Sequence, residues 1–266
     1  MDLYIEVSID QARMQRGQII SRWFMDGLES VLSDLANSAE WYAVLNREEY
    51  SNAESFEGGR EKQIAFLEGL HCSPYYAQLA FHSRDEQLGW LSTSSAFFDG
   101  AYASNVAALP GDDSDLADPA YCASLVEFLS GALSGANPAF GRVEVGDFSD
   151  QTNLDVVLRR KRRDSVPQSR RILRGYAWVT ICPEELLQRL GGCDALASSG
   201  AFFRVLSIEG GGAILQSCET LAGYSDGVMG RVFEALAPVL PPGMPKSHVA
   251  FPDVRFTQAD ASRWTG

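Results

Sequence analysis

Positive charge is concentrated near the middle of this 266-residue chain. Residues 159–174 contain eight of its 22 Lys and Arg residues and one acid, Asp164, although the formal net charge is -13. A block of like charge repels itself and resists packing, so it is typical of a segment in solvent or against a partner. It predicts an N-terminal half (residues 1–150), a basic linker or loop (residues 151–174, the basic segment) and a C-terminal half (residues 175–266). The basic residues are Arg159, Arg160, Lys161, Arg162, Arg163, Arg170, Arg171 and Arg174.

Three roles for the basic segment are open. Its guanidinium groups could neutralise the phosphates of a nucleic acid. No aromatic residue for base stacking lies within 159–174, and a sequence pI of about 4.7 gives a surface that repels phosphate, so this partner is disfavoured. The segment could instead meet acidic residues, either of a partner, of a second copy in a homodimer, or of this chain at 112–118. The third role, which we favour, is a solvated loop between the halves.

Hydrophobic periodicity predicts a similar order of elements in both halves. Alternation of Leu3, Ile5 and Val7 predicts a strand over 3–9, and helical spacing predicts a helix over 19–35. Each half runs strand, helix, two or three strands, helix, strand. This order predicts an α+β fold of two related halves, each a mostly antiparallel sheet with helices packed on one face. The other predicted strands are 41–45, 76–82, 88–98, 142–145, 176–181, 202–208, 213–218 and 254–257, and the other predicted helices are 60–69, 119–133, 183–190, 193–198 and 226–240.

Glycines 210–212 predict a hairpin turn rather than a phosphate-binding loop. Strands are predicted on both sides of them, whereas a phosphate loop is followed by a helix and carries a Lys-Ser or Lys-Thr pair. Residues 110–119 contain four Asp residues and are predicted to form an exposed loop. Asp118, at the end of this loop, is predicted to be the N-cap of a helix.

The sequence predicts no catalytic residue, no cofactor and no metal. His71 and Cys72 adjoin, but no second Cys or His pair lies at ligand spacing. No serine or cysteine sits in a nucleophile motif. Five widely spaced cysteines indicate reduced thiols and a cytoplasmic protein. The N-terminal residues lack the basic and apolar regions of a signal peptide, and no apolar run is long enough to span a membrane.

A protein-binding surface is predicted instead. Its residues are Asp112, Asp113, Asp115 and Asp118, together with the aromatic Trp90. Acidic side chains complement a basic partner and speed its association, so the expected partner is a basic protein.

A succession of short motifs lies within residues 174–242. A strand carrying Trp178 and Thr180 precedes a short helix that ends in Leu-Gly-Gly at 190–192, and the glycine hairpin and a helix ending in Ala-Pro-Val-Leu at 237–240 follow. In this respect the C-terminal half resembles bacterial immunity-type proteins, those associated with type VI secretion and polymorphic toxins. The resemblance implies a protein that acts by binding and has no catalytic residue.

The leading functional hypothesis is therefore a non-enzymatic, acidic immunity-type protein that neutralises a cognate bacterial toxin by occluding its site. The alternative is a small-molecule-binding protein or an enzyme with a pocket between the two halves. Trp90, Tyr176 and Trp178 would line that pocket, and carboxylates would act there as acid or base.

Overall fold

One antiparallel sheet of ten strands runs through the part of the chain that the computed structural model describes, which is residues 2–83, 86–95, 101–146 and 151–264. The strand order is β3-β2-β4-β5-β6-β1-β7-β8-β10-β9. The strands are β1 (Asp2–Ile9), β2 (Glu40–Asn46), β3 (Glu54–Glu57), β4 (Tyr76–Ser83), β5 (Glu86–Ser94), β6 (Ala103–Pro110), β7 (Phe140–Val145), β8 (Val179–Cys182), β9 (Arg204–Ser207) and β10 (Ala213–Gln216).

Ten α-helices accompany these strands within the described residues. They are α1 (Arg13–Glu29), α2 (Ser33–Ser38), α3 (Arg60–Gly69), α4 (Asp113–Ala117), α5 (Pro119–Ala132), α6 (Asn153–Val157), α7 (Arg162–Ser165), α8 (Glu184–Arg189), α9 (Gly192–Ser198) and α10 (Asp226–Leu236). Short 3-10 turns lie at Leu70–Cys72, Val166–Gln168, Leu221–Gly223, Ala237–Val239 and Ala261–Trp264.

The first strand, β1, lies near the middle of the sheet, and its side chains are buried on both faces. Leu3, Ile5 and Val7 are fully buried in the core that contains side chains of α1 and α5. Successive side chains of a strand point to opposite faces, so Glu6 faces the other side. Glu6 is only 1% exposed, which means that this second face is also covered at β1.

Strands of the two predicted halves belong to the same sheet. β7 pairs with β1 on one side and with β8 on the other, so hydrogen bonds cross from the N-terminal half to the C-terminal half. The predicted α+β fold with antiparallel strands is confirmed. The boundaries at residues 150 and 174 stay predictions about units of folding.

The strands β7, β8 and β10 are covered on both faces. Val143, Val179 and Ile214 join the core of α1 and α5. Phe140 and Leu215, which point the other way, join a second core with apolar residues of α8 and α10. Helices therefore lie on one face of the sheet at α1 and α5, and on the opposite face in the C-terminal half.

Several elements differ from the sequence prediction. The predicted helix at 19–35 is two helices, α1 and α2, and α1 begins at Arg13. Residues 113–117 form helix α4 in place of a loop, and β6 was not predicted because its alanines have low strand propensity. The predicted edge strand at 254–257 was wrong, since the chain has no regular structure there. Part of the predicted strand 88–98 lies outside the described residues.

Candidate binding site at a cavity between the two halves

A cavity of about 470 Å³ opens at the carboxyl end of β7. Residues of the N-terminal half, of the basic segment and of the C-terminal half all contribute to its wall, so it lies between the predicted halves. Its lining consists of Glu144–Gly146, Gln151, Asn153, Val156, Tyr176–Trp178, Leu221, Tyr224, Met229 and Ala250–Arg255.

Two aromatic residues just before β8 are fixed in the wall by hydrogen bonds. The indole Nε1 of Trp178 donates to the carbonyl oxygen of Cys218 at 2.9 Å, and the side chain is almost fully buried. The hydroxyl of Tyr176 accepts from the backbone N–H of Thr257 at 3.0 Å. Both residues line this cavity, whereas Trp90, which was predicted to line a pocket with them, does not. A functional pocket between two halves stays a prediction.

Tyr224 brings a buried hydroxyl to the same wall. Burial raises the pKa of this phenol strongly, with Tyr176 adding to the effect. Among the described residues, the hydroxyl has no hydrogen-bond partner. The guanidinium carbon of Arg255 lies 5.7 Å from the ring centroid, and its Nη2 donates to Asp226 at 2.7 Å. The cation at the rim is thus already paired with an acid.

Glu144 supplies a carboxylate to the cavity from the end of strand β7. Its Oε1 lies 2.6 Å from Nη1 of Arg142, and its side chain is 22% exposed. Burial raises the pKa of Glu144, and the neighbouring Glu6 adds to this, while Arg142 and Arg174 oppose it. The sequence reasoning missed this residue because its flanks gave no motif.

A buried ionic network lies behind Glu144, on the face of the sheet opposite α1. Arg142 donates to Glu6 at 3.0 Å, and Arg174 lies 3.7 Å from the other oxygen of Glu6. Arg174 also reaches Asp155 at 3.4 Å, and Arg160 reaches the same carboxylate at 3.3 Å. Buried charges are tolerated only when they are paired, and here acids and guanidinium groups alternate.

The basic segment takes part in this network, so the solvated-loop interpretation does not hold for all of it. Arg174 is 0% exposed, and Arg160 is 16% exposed at its side chain. Arg170 forms one ion pair with Asp10 and a second with Glu185 at 2.9 Å. The remaining basic side chains divide into Arg162, which is half-buried, and the exposed Arg159, Lys161, Arg163 and Arg171.

The predicted acidic binding residues have local roles in the fold. Asp112 caps α4 by accepting from the backbone N–H groups of Ser114 and Asp115 at 2.8 and 3.0 Å. The hydroxyl of Ser114 also donates to this carboxylate, and this bond together with the two backbone bonds lowers the pKa of Asp112. Asp115 completes a capping box with the N–H of Asp112. Asp118 caps α5, as predicted, by accepting from the N–H of Ala120 at 2.9 Å.

Asp113 and Trp90 lie outside the cavity. Asp113 is the exposed first residue of α4. Trp90 is partly buried on β5 and points away from the core face, because its neighbour Leu91 is buried in that core. Neither residue, nor any of the capping acids, belongs to the cavity lining. Their participation in binding stays a prediction.

The described residues offer no group of three or more His, Cys, Asp or Glu side chains that could hold a metal ion. The five cysteines are free thiols, and burial raises the pKa of Cys218 to about 11, which disfavours the reactive thiolate. In the described part of the chain, no helix has both the length and the apolar character needed to cross a membrane.

The glycine hairpin joins β9 to β10 and lies against neighbouring backbone. β9 and β10 pair as predicted, and the turn between them packs against residues 135–137. Glu184 fixes the turn by accepting from the backbone N–H of Gly212 at 2.9 Å. Glycines are therefore needed in this turn because its backbone lies too close to neighbouring backbone to admit a Cβ.

Comparison with solved structures finds the same fold in a type VI secretion system protein. The structure is that of the Pseudomonas aeruginosa T6SS protein PA0821, which is 12% identical in sequence. The match has a TM-score of 0.56 and covers 99% of this chain and 80% of that chain. No protein-family model and no curated protein sequence matches the chain. The likeness concerns the fold of the whole described chain, including the N-terminal half for which the sequence offered no resemblance.

Proposed function

We propose that this chain is an immunity-type binding protein, which neutralises a toxin of a type VI secretion system by covering the toxin's functional site. The observation that carries the proposal is the fold, which it shares over 99% of its length with a T6SS protein. The resemblance of residues 174–242 to immunity-type proteins, found from sequence motifs, supports the same class.

Charge supports a basic partner. The chain has a formal net charge of -13, and three of the eight basic side chains of the segment, Arg160, Arg170 and Arg174, are paired with acids of this chain. The outer surface is therefore acidic, which attracts a basic protein at long range and speeds its association. Toxins that act on nucleic acids are basic, because they must bind phosphate. The proposed location is the bacterial cytoplasm, where such a toxin would reach its substrate.

Co-expression tests this proposal. A basic toxin encoded beside this chain's gene is produced in a bacterial host with and without the chain, and survival is measured. The expected result is survival only when the chain is present, together with a purified complex whose affinity falls as salt is raised from 50 to 500 mM. Equal killing with and without the chain would contradict the proposal.

The cavity favours a second candidate function, the binding of a small molecule. A volume of about 470 Å³ lies within the range of roughly 300–1,000 Å³ found for ligand pockets, and the wall combines aromatic rings with polar groups. Native mass spectrometry of the purified protein tests this. An additional mass of a few hundred daltons, lost when Met229 is replaced by Trp to fill the cavity, would support it. An unmodified mass under gentle conditions would count against it.

A further inference from the structure

Glu144 keeps part of its carboxylate available to the cavity. One oxygen, Oε1, faces Arg142 at 2.6 Å, whereas Oε2 makes no hydrogen bond within the described residues. The side chain is 22% exposed while that of Arg142 is 4% exposed, so the exposed part belongs to the acid and lies on the cavity side. A carboxylate with one free oxygen at the end of a partly closed space is a binding group for a cation.

Aromatic rings line the same cavity as this carboxylate. They belong to Tyr176, Trp178 and Tyr224. The faces of Tyr and Trp rings attract lysine and arginine side chains, with more effect when water is excluded. A carboxylate with aromatic walls selects a cationic head group on an apolar stem.

The charges at the rim leave the cavity acidic. Asp253 and Glu144 are the acids of the lining, and Arg255 is its one cation in the described residues. Arg255 is held by Asp226 at 2.7 Å. That pair is neutral, and Arg142 faces Oε1 of Glu144, so the negative charge left at the cavity mouth comes from Asp253 and from the side of Glu144 turned away from Arg142.

An exposed apolar turn lies beside the mouth. His248 and Phe251 close the turn by a backbone bridge, and Phe251 is both part of the lining and 41% exposed. Val249 at its tip is 99% exposed. Binding hot spots pair a pocket that receives one anchor side chain with apolar contacts around it that exclude water.

We infer that this cavity receives a lysine or arginine side chain of the toxin, with Glu144 as its ionic partner and the turn at 248–251 packing around the anchor. The inference rests on the proposed function and adds the surface and the chemistry of recognition to it.

The first experiment measures affinity of the toxin for three forms of the full chain by calorimetry. Glu144→Gln keeps the shape of the side chain and should weaken binding by about tenfold or more, since one charge-assisted contact is lost. Glu127→Gln is the matched control, because it removes the same charge from the exposed side of α5, on the other face of the sheet. It should change affinity less than about twofold. Equal affinities of all three forms would overturn the inference while leaving the proposed function intact.

A second variant guards against loss of folding. Asp253 is exposed and lies outside the buried ionic network, so Asp253→Asn leaves that network unchanged. It should weaken toxin binding by about threefold. No change in Asp253→Asn, with a Glu144→Gln variant that has lost its native circular dichroism, would count against the cavity as the binding surface.

A third experiment needs no toxin. Capped tripeptides Gly-Arg-Gly, Gly-Lys-Gly and Gly-norleucine-Gly are titrated into the protein, and the indole N–H signal of Trp178 is followed by NMR. The two cationic peptides should shift this signal at millimolar concentration, and the norleucine peptide should not. Equal shifts from all three would mean that the cavity takes an apolar side chain, which overturns the inference. Peptide binding without toxin binding would separate failure of the proposed function from failure of the cavity.

Discussion

The guanidinium of Arg174 lies 3.4 Å from the carboxylate of Asp155, and both side chains are fully buried. Asp155 lies near the start of the basic segment, and Arg174 is its last residue. Asp155 also accepts from the hydroxyl of Ser165 at 3.0 Å, and Arg174 lies over the ring of Phe140 on β7. The basic segment is therefore folded around one of its own acids and attached to the sheet through one of its own cations.

Replacement of Arg174 by Met should destabilise the protein severely. The variant leaves Asp155 and Glu6 with fewer cationic partners in a buried site, and an unpaired buried charge costs about 3–5 kcal/mol. The free energy of unfolding, measured by urea denaturation, should fall by about that amount.

Arg163→Met is the matched control for Arg174. Arg163 belongs to the same basic segment, but its side chain is 73% exposed and its contact with Asp164 is long, at 3.8 Å. The free energy of unfolding should change by less than about 0.5 kcal/mol. Similar losses in both variants would show that the segment's total charge, rather than the buried pairs, governs stability.

Gly210→Ala should disrupt the hairpin of β9 and β10. Gly210 has φ of +111°, and a Cβ at this position would lie 2.5 Å from the carbonyl carbon of Gly135. Both the backbone conformation and the contact oppose a side chain, so the loss should be about 1–3 kcal/mol. Gly230→Ala is the control, since Gly230 lies in α10 with open space around its Cα. That change should stabilise the protein by about 0.5–1 kcal/mol, and urea denaturation of both variants checks the opposite signs.

Local patterns predicted most strands and helices because each depends on its own side chains. Alternation gave β1, helical spacing gave α10, and Asp118 before a proline gave the start of α5. The predictions were poorer where tertiary contacts override local preference. β6 has a weak strand propensity, yet pairing with β1 and β5 on its two sides makes it a central strand.

The basic segment shows why the site could not be predicted in the same way. Charge density along the chain indicated solvent, but Arg174 is buried because Glu6 and Asp155 lie opposite it in space. Glu6 is separated from Arg174 by most of the N-terminal half. The alternation of β1 gave no signal of this, because it places Glu6 on the polar face of the strand with Tyr4 and Ser8, where solvent is the expected surrounding. Which cation lies opposite Glu6 depends on the order of the strands.

The acidic residues before α5 should contribute more to stability than to binding. Asp118→Ala removes the N-cap of α5 and should lower the free energy of unfolding by about 1 kcal/mol. Asp113→Asn removes an exposed charge without a capping role and should leave stability within about 0.5 kcal/mol. If Asp113 attracts a basic toxin, its replacement should slow association by less than about threefold, and high salt should abolish that difference. Urea denaturation and stopped-flow binding separate the two effects.

Glu144 should make the stability of the folded protein depend on pH. In the folded state, burial raises the pKa of Glu144 and Glu6 adds to this effect, while Arg142 and Arg174 oppose it. In the unfolded chain the pKa of a Glu is about 4.3. Between these two values the folded state binds more protons, so its stability falls as pH rises through the window. Glu144→Gln cannot ionise, and the other carboxylates are common to both proteins. The unfolding free energy of the wild type minus that of the variant should therefore decrease above about pH 4.3 and become constant above the folded-state pKa. A difference that increases with pH would mean that Arg142 stabilises the ionised carboxylate more than burial disfavours it.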